Sequence, residues 1–192
     1  MAYVGSYSYT GKAKGITVYD VDVETGKFIY RCEVEVDNSS YLKASQNGQI
    51  LYSIADEGVV AFRVLPNGSL ARLNSANIRG MRGCHLSTSK ADDYIFISGF
   101  HDGKITVLNL NKDGTVGQIA DGVFHKGLGS VAERSFRPHV SCSCLSPALL
   151  QNKCFSSGER CIAQAAVSWF GLLPVEGIVW IFSTIGTRSP SL

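Results

Sequence analysis

Apolar and polar side chains alternate with a period of two along most of residues 3 to 147. Gly15-Ile16-Thr17-Val18-Tyr19-Asp20-Val21-Asp22 shows the pattern, as does the shorter Tyr3-Val4-Gly5-Ser6-Tyr7. Successive side chains on a strand point to opposite faces, so this period predicts β-strands. Leu51-Tyr52-Ser53-Ile54-Ala55 and Gly58-Val59-Val60-Ala61-Phe62-Arg63-Val64 predict two more. Tyr94-Ile95-Phe96-Ile97-Ser98 and Gly103-Lys104-Ile105-Thr106-Val107-Leu108-Asn109-Leu110 predict a further pair. Between strands stand turn sequences: Glu24-Thr25-Gly26-Lys27-Phe28, Pro66-Asn67-Gly68-Ser69-Leu70 and Lys112-Asp113-Gly114-Thr115-Val116. Each places glycine where a tight hairpin needs a positive φ.

These elements recur in a fixed order. Tyr41-Leu42-Lys43-Ala44-Ser45 leads to Leu51-Tyr52, and 44 residues later His85-Leu86-Ser87-Thr88-Ser89 leads to Ile95-Phe96. A third start, His139-Val140-Ser141-Cys142-Ser143, follows after 54 residues, the surplus lying in a Gly-rich insert before Pro138. A period of this size, built of short strands and tight turns, is the signature of β-propeller blades. Each unit reads as a four-stranded antiparallel meander. A lone sheet of this kind cannot bury both faces, so blades are stable only against neighbours. The fold class expected is all-β: a β-propeller of four-stranded blades, incomplete at about three where propellers carry about four to eight.

After Pro147 the repeat stops. Residues 1–147 are expected to form the partial propeller, and 148–192 an off-pattern hydrophobic tail. Five of those last 45 residues are charged: Lys153, Glu159, Arg160, Glu176 and Arg188. The stretch 165–185 is nearly apolar and long enough for a membrane span. Pro174, Glu176 and Gly177 sit at its centre, where a carboxylate is costly, so a spanning helix is not expected. A β-prone, aggregation-prone tail is, with Ile178-Val179-Trp180-Ile181-Phe182 as its strongest window.

Composition narrows the function classes. The chain has 192 residues, 45% of them hydrophobic and 18% charged, and a formal net charge of +2. Without a basic cluster, neither nucleic acid nor an anionic membrane is an expected partner. Met1-Ala2-Tyr3-Val4-Gly5-Ser6 lacks a basic and an apolar region of a secretory signal, so a cytoplasmic location is expected. The six cysteines, Cys32, Cys84, Cys142, Cys144, Cys154 and Cys161, are then free thiols. Cys142 and Cys144 point to one face of a strand and read as small buried apolar side chains. A zinc site joining them to His139, Cys154 or Cys161 would match no standard spacing. No phosphate loop, nucleophile elbow or metal-ligand helix is present, and no cofactor or metal is expected.

The ordered set of motifs resembles the N-terminal part of the seven-bladed β-propeller lactonases, the 6-phosphogluconolactonase-like family. The matching pieces are Tyr3-Val4-Gly5-Ser6-Tyr7, Gly15-Ile16-Thr17-Val18-Tyr19-Asp20, Ser40-Tyr41-Leu42 and Asn47-Gly48-Gln49-Ile50-Leu51-Tyr52. Gly83-Cys84-His85-Leu86-Ser87, Gly127-Leu128-Gly129-Ser130 with Glu133-Arg134, Arg137-Pro138-His139-Val140-Ser141 and Leu145-Ser146-Pro147 follow in order. The family continues after such a Ser-Pro with Asp-Gly and four more blades. Here Ala148-Leu149-Leu150-Gln151-Asn152 follows, as a shifted reading frame would give.

The resemblance implies a hydrolase that opens a sugar lactone of the 6-phosphogluconolactone type, in the oxidative pentose phosphate route. Such a reaction needs a base to activate water and cations for the oxyanion and the phosphate. His139, which matches the family's Pro-His motif, is the candidate base; its alternative is a hydrogen-bonded structural histidine. Arg134 and Arg137, in the insert before it, are candidate substrate-binding cations or solvated loop residues. His85 and Glu133 are candidates for lining the same channel, with structural roles as their alternatives. The family draws further site residues from later blades, and these have no match here, so impaired activity is expected. A non-catalytic propeller piece, self-associating through open blade edges, is the competing expectation.

Overall fold

The computed structural model describes residues 1–125 and 138–145, together with the backbone of 179–183. Among the described residues every regular element is a β-strand. The first sheet holds β1 (Ala2–Gly5), β2 (Gly15–Val21) and β3 (Phe28–Glu35). The second runs in order β4 (Leu42–Ala44), β5 (Ile50–Ala55), β6 (Gly58–Val64) and β7 (Leu70–Asn77). The third runs β8 (His85–Thr88), β9 (Tyr94–Gly99), β10 (Lys104–Leu110) and β11 (Val116–Phe124). All pairings within these sheets are antiparallel.

The internal repeat is written into the backbone as well as the sequence. Register shifts fall between Val18 and Tyr19, Ala61 and Phe62, and Val107 and Leu108, where the Gly-led strand of each sheet meets the strand after it. That equates β2 with β6 and β10, and therefore β1 with β5 and β9. The first sheet thus begins at its second strand and has three strands rather than the four expected of each unit. Its first strand is also shorter than the alternation suggested. The ladder with β2 ends one residue past Gly5, where Ser6 N donates to Gly15 O at 2.7 Å. The hairpins form as the turn sequences require, with Gly68 at φ 78° and Gly114 at φ 87°. Gly114 has a second constraint: a β-carbon there would lie 2.5 Å from Ile50 of the neighbouring sheet.

The core lies between the sheets. Ile50, Tyr52 and Ile54 of β5, with Val59 and Ala61 of β6, pack towards the third sheet against Leu86, Ile95, Ile97 and Leu108. The intervening residues Leu51, Val60 and Phe62 pack towards the first sheet against Ile16 and Val36. The second sheet is therefore apolar on both faces. Polar ties register the layers. Tyr3 Oη donates to Gly68 O at 2.9 Å between the first two sheets. The Asn74 carboxamide bonds both backbone groups of Val116, donating to its O at 2.7 Å and accepting from its N at 3.0 Å.

β12 (Val140–Leu145) starts the next layer, lying against β8 and β9. Ser143 fixes it there: its hydroxyl meets that of Ser98 at 2.8 Å, and its carbonyl accepts from Ser87 Oγ at 2.7 Å. β12 pairs antiparallel with β13 (Val179–Ser183), so the part of the strand-prone window from Val179 to Phe182 lies in a strand. The rest of the tail, including most of the nearly apolar stretch, lies outside the described residues. No helix among the described residues is long and apolar enough to cross a membrane.

Phe62 is 1% exposed and contacts both the first sheet and its own. Phe62→Ala is expected to lower stability by about 3–5 kcal/mol in urea titration. Ile119→Ala, at a position 37% exposed on β11, is expected to stay within about 0.5 kcal/mol of the parent.

Candidate functional site

β4, β8 and β12 are equivalent inner strands, and each lies against the next of the three or its sheet. The residues at their starts, with the loops β1–β2, β5–β6 and β9–β10, therefore gather at one end of the molecule. His139 sits directly before β12. Its Nδ1 lies 2.5 Å from Phe100 O, in the loop after β9. A carbonyl oxygen can only accept, so Nδ1 carries the proton and Nε2 of the neutral ring carries the lone pair. The ring stacks on Phe100, centroids 4.2 Å apart and planes 10° from parallel. Phe100 in turn meets His101 edge-on at 5.5 Å. Position and tautomer of His139 are thus both set by one residue of the neighbouring sheet.

His85 opens β8, with its ring 4.7 Å from that of Tyr41. Cys142 Sγ of β12 lies 3.5 Å from its Nε2. Its Nδ1 is buried and has no hydrogen-bond partner. Burial first, and the Lys43 ammonium second, hold the imidazole below its ordinary value, so it is neutral near pH 7. The Cys142 thiol is raised, by burial and then by Cys144. Cys84 is raised as well, chiefly by burial, and its Sγ lies 3.3 Å from both Ser98 O and Val140 O. The expectation that Cys142 and Cys144 are simply buried apolar groups needs correcting. Both are partly exposed, and Cys142 has a polar neighbour in His85.

A second group at the same end was not singled out from the sequence. Arg82 Nη1 lies 2.8 Å from Asp56 Oδ1, and its guanidinium lies over the Tyr7 ring at 4.9 Å. Asn38 Nδ2 donates to both Asp56 oxygens at 3.0 and 2.9 Å. Asn38 accepts from Ser8 N and Tyr9 N, and it sits at φ 52°. Three loops, β1–β2, β3–β4 and β5–β6, thus hold in place one guanidinium carried by the β7–β8 connection. The signal was present: Arg82 precedes His85 by three residues, as Arg137 precedes His139 by two. Of the other expected site residues, Glu133, Arg134 and Arg137 lie outside the described residues. Cys154 and Cys161 lie outside them too. No group of three His, Cys, Asp or Glu among the described residues could hold a metal ion.

Comparison with known proteins agrees with the propeller fold. The family model for Lactonase, 7-bladed beta-propeller, matches residues 1–150. A 6-phosphogluconolactonase of Bacillus subtilis (strain 168) is 29% identical over 153 residues, covering 77% of this chain and 43% of that protein. A crystal structure from Bacteroides fragilis, of a protein provisionally named a 6-phosphogluconolactonase, matches with a TM-score of 0.70 and 32% identity. The match covers 76% of this chain and 42% of that one. A periplasmic gluconolactonase of Pseudomonas aeruginosa shares the fold at a TM-score of 0.70 and 22% identity. The chain spans less than half the length of these relatives.

Two histidines link stability to pH. His85 and His125, the latter at the end of β11 with Nε2 buried and unpartnered, are both lowered by burial from the ordinary 6.5. Unfolding returns each to its ordinary value, so the unfolded chain binds protons first as pH falls. Their contribution is full above pH 6.5 and is lost as pH drops from there through the lower folded values. The urea midpoint is expected to fall between pH 7.5 and 5.5, and to fall less in His85→Gln. The lowered carboxyls of Asp22 and Asp113 titrate below 3.8, outside this window.

Proposed function

Since this chain belongs to the lactonase family of seven-bladed β-propellers, we propose that it serves lactone hydrolysis, with His139 as the base. The substrate class is a sugar lactone of the 6-phosphogluconolactone type. The observation that carries the reading is the Nδ1–H bond from His139 to Phe100 O, which leaves the proton-accepting nitrogen as Nε2. In the reaction, Nε2 takes a proton from water as the oxygen attacks the lactone carbonyl. The tetrahedral oxyanion collapses, the ring C–O bond breaks, and the imidazolium returns its proton to the departing alkoxide. The product is the open-chain hydroxy acid, which ionises to the carboxylate by releasing its proton to solvent. Arg82, held at the same end by Asp56, is the described cation suited to the oxyanion. Arg134 and Arg137 are assigned to the phosphate, and Glu133 to orienting one of them. His85, neutral and beside Cys142, lines the channel rather than acting as a cation.

The chain carries about three blades, and the resemblance assigns further site groups to later ones. Turnover by this chain alone is therefore expected to be weak.

A second reading is a non-catalytic piece that associates through its open faces. It is favoured by the exposed strip of β3, where Phe28, Ile29 and Tyr30 are 62%, 58% and 61% exposed. Sedimentation at increasing concentration should then show reversible association that Phe28→Ser with Tyr30→Ser suppresses.

The test of catalysis is hydrolysis of 6-phosphogluconolactone by the purified chain, above the spontaneous rate. His139→Ala is expected to lower kcat by about 10²–10⁴-fold, as loss of a general base does. Turnover untouched by that change would remove His139 from the role; no turnover above the spontaneous rate would favour the second reading.

A further inference from the structure

A cavity of about 460 Å³ opens between the second and third sheets. It is lined from the β4–β5 loop, the β8–β9 loop and the β10–β11 turn, and so lies at the end of the inner strands opposite His139 and His85. Its volume is within the range of small-molecule sites. Ser45, Tyr52, Arg63, Asp92, Lys112 and Asp113 supply its polar lining.

Tyr52 is the informative residue. It is 1% exposed, reaches the cavity, and its hydroxyl has no hydrogen bond among the described residues. Burial, then the charges of Asp92 and Asp113, push the phenol up to about 12, so it is a neutral donor. The repeat provides an internal control. Tyr52 pairs with Lys43 as Phe96 pairs with Ser87, so Phe96 fills the equivalent position one sheet on, 2% exposed. Packing at this position is met by a phenyl ring, and the hydroxyl is extra. A phenol with no protein partner, on a residue that lines a cavity, can pair with a polar group held there. Asp92 also has an unmet acceptor. Its Oδ2 accepts from Gln46 N at 2.6 Å, while Oδ1 is buried without a partner.

The charges around these two atoms restrict what can enter. Asp92, Asp93 and Asp113 oppose an anion; Arg63 and Lys112 oppose a cation. Donors and acceptors both line the wall: Tyr52, Arg63, Lys112 and the amide of Asn47 can donate, and the carboxylates accept. A hydroxyl group is both donor and acceptor, and a molecule bearing several of them, without net charge, fits such a wall. We propose that this cavity binds a small neutral polyhydroxylated molecule, a sugar or a polyol, through hydroxyl groups paired with Tyr52 Oη and the Asp92 carboxylate. The site is separate from the histidine end and does not depend on the lactonase reading.

Saturation-transfer NMR on the full chain tests it, with D-glucose, D-mannitol and myo-inositol as probes. At least one is expected to give a transfer signal that added 6-phosphogluconate does not displace. Tyr52→Phe, which the Phe96 position shows to be packable, is expected to weaken that binding about fivefold or more, as is Asp92→Asn. Transfer to none of the three probes would overturn the proposal. So would equal binding by Tyr52→Phe and Asp92→Asn, or displacement by inorganic phosphate, which would mark an anion site.

Discussion

Everything in this chain depends on one sheet being covered on both faces. β5 and β6 send alternate side chains to opposite neighbours, so removing either neighbour would expose half of the second sheet's apolar surface. Ile54 and Val59 are buried by the third sheet, and Val60 and Phe62 by the first. The free energy of each layer is thus shared with the next, and no layer is stable alone. The same rule operates at the far side, where Val140 of β12 is fully buried against the third sheet. At the other side β3 is the edge strand of the first sheet, and its consecutive Phe28, Ile29 and Tyr30 are exposed on both faces.

Much of this was legible in the sequence because a period of two and a period near 44 are both geometric. The three turn sequences placed the hairpins, and the starts at Tyr41, His85 and His139 marked the inner strands. What the sequence did not show was how neighbouring units interlock. The Asn74–Val116 pairing joins residues 42 apart through a single carboxamide, and nothing local in Asn74 distinguishes it from a surface asparagine. The three-stranded first sheet was missed for a related reason. Alternation in Tyr3-Val4-Gly5 is the same whether a strand lies first or second in its sheet; only the shared register shifts tell them apart.

The histidine end was legible by residue and not by arrangement. His139 and His85 stand out because the repeat places them at equivalent starts. That Phe100 fixes the tautomer of one, and that Cys142 meets the other, requires knowing that β8 and β12 are neighbours. Arg82 was overlooked because a lone arginine in a turn is usually solvated, and its partner Asp56 lies 26 residues away. A guanidinium held by a carboxylate that an asparagine holds in turn has less orientational freedom to lose when it meets an anion.

The carboxamide of Asn74 joins two sheets by behaving as a piece of backbone, one donor and one acceptor side by side. That makes the joint sensitive to chemical ageing. Deamidation would exchange the N–H that meets Val116 O for a second carboxylate oxygen, setting acceptor against acceptor in a half-buried seam. No atom would be missing and no side chain would change in size. The second and third sheets would nevertheless lose one of the bonds that registers them, and gain a charge between layers that only neighbours keep stable.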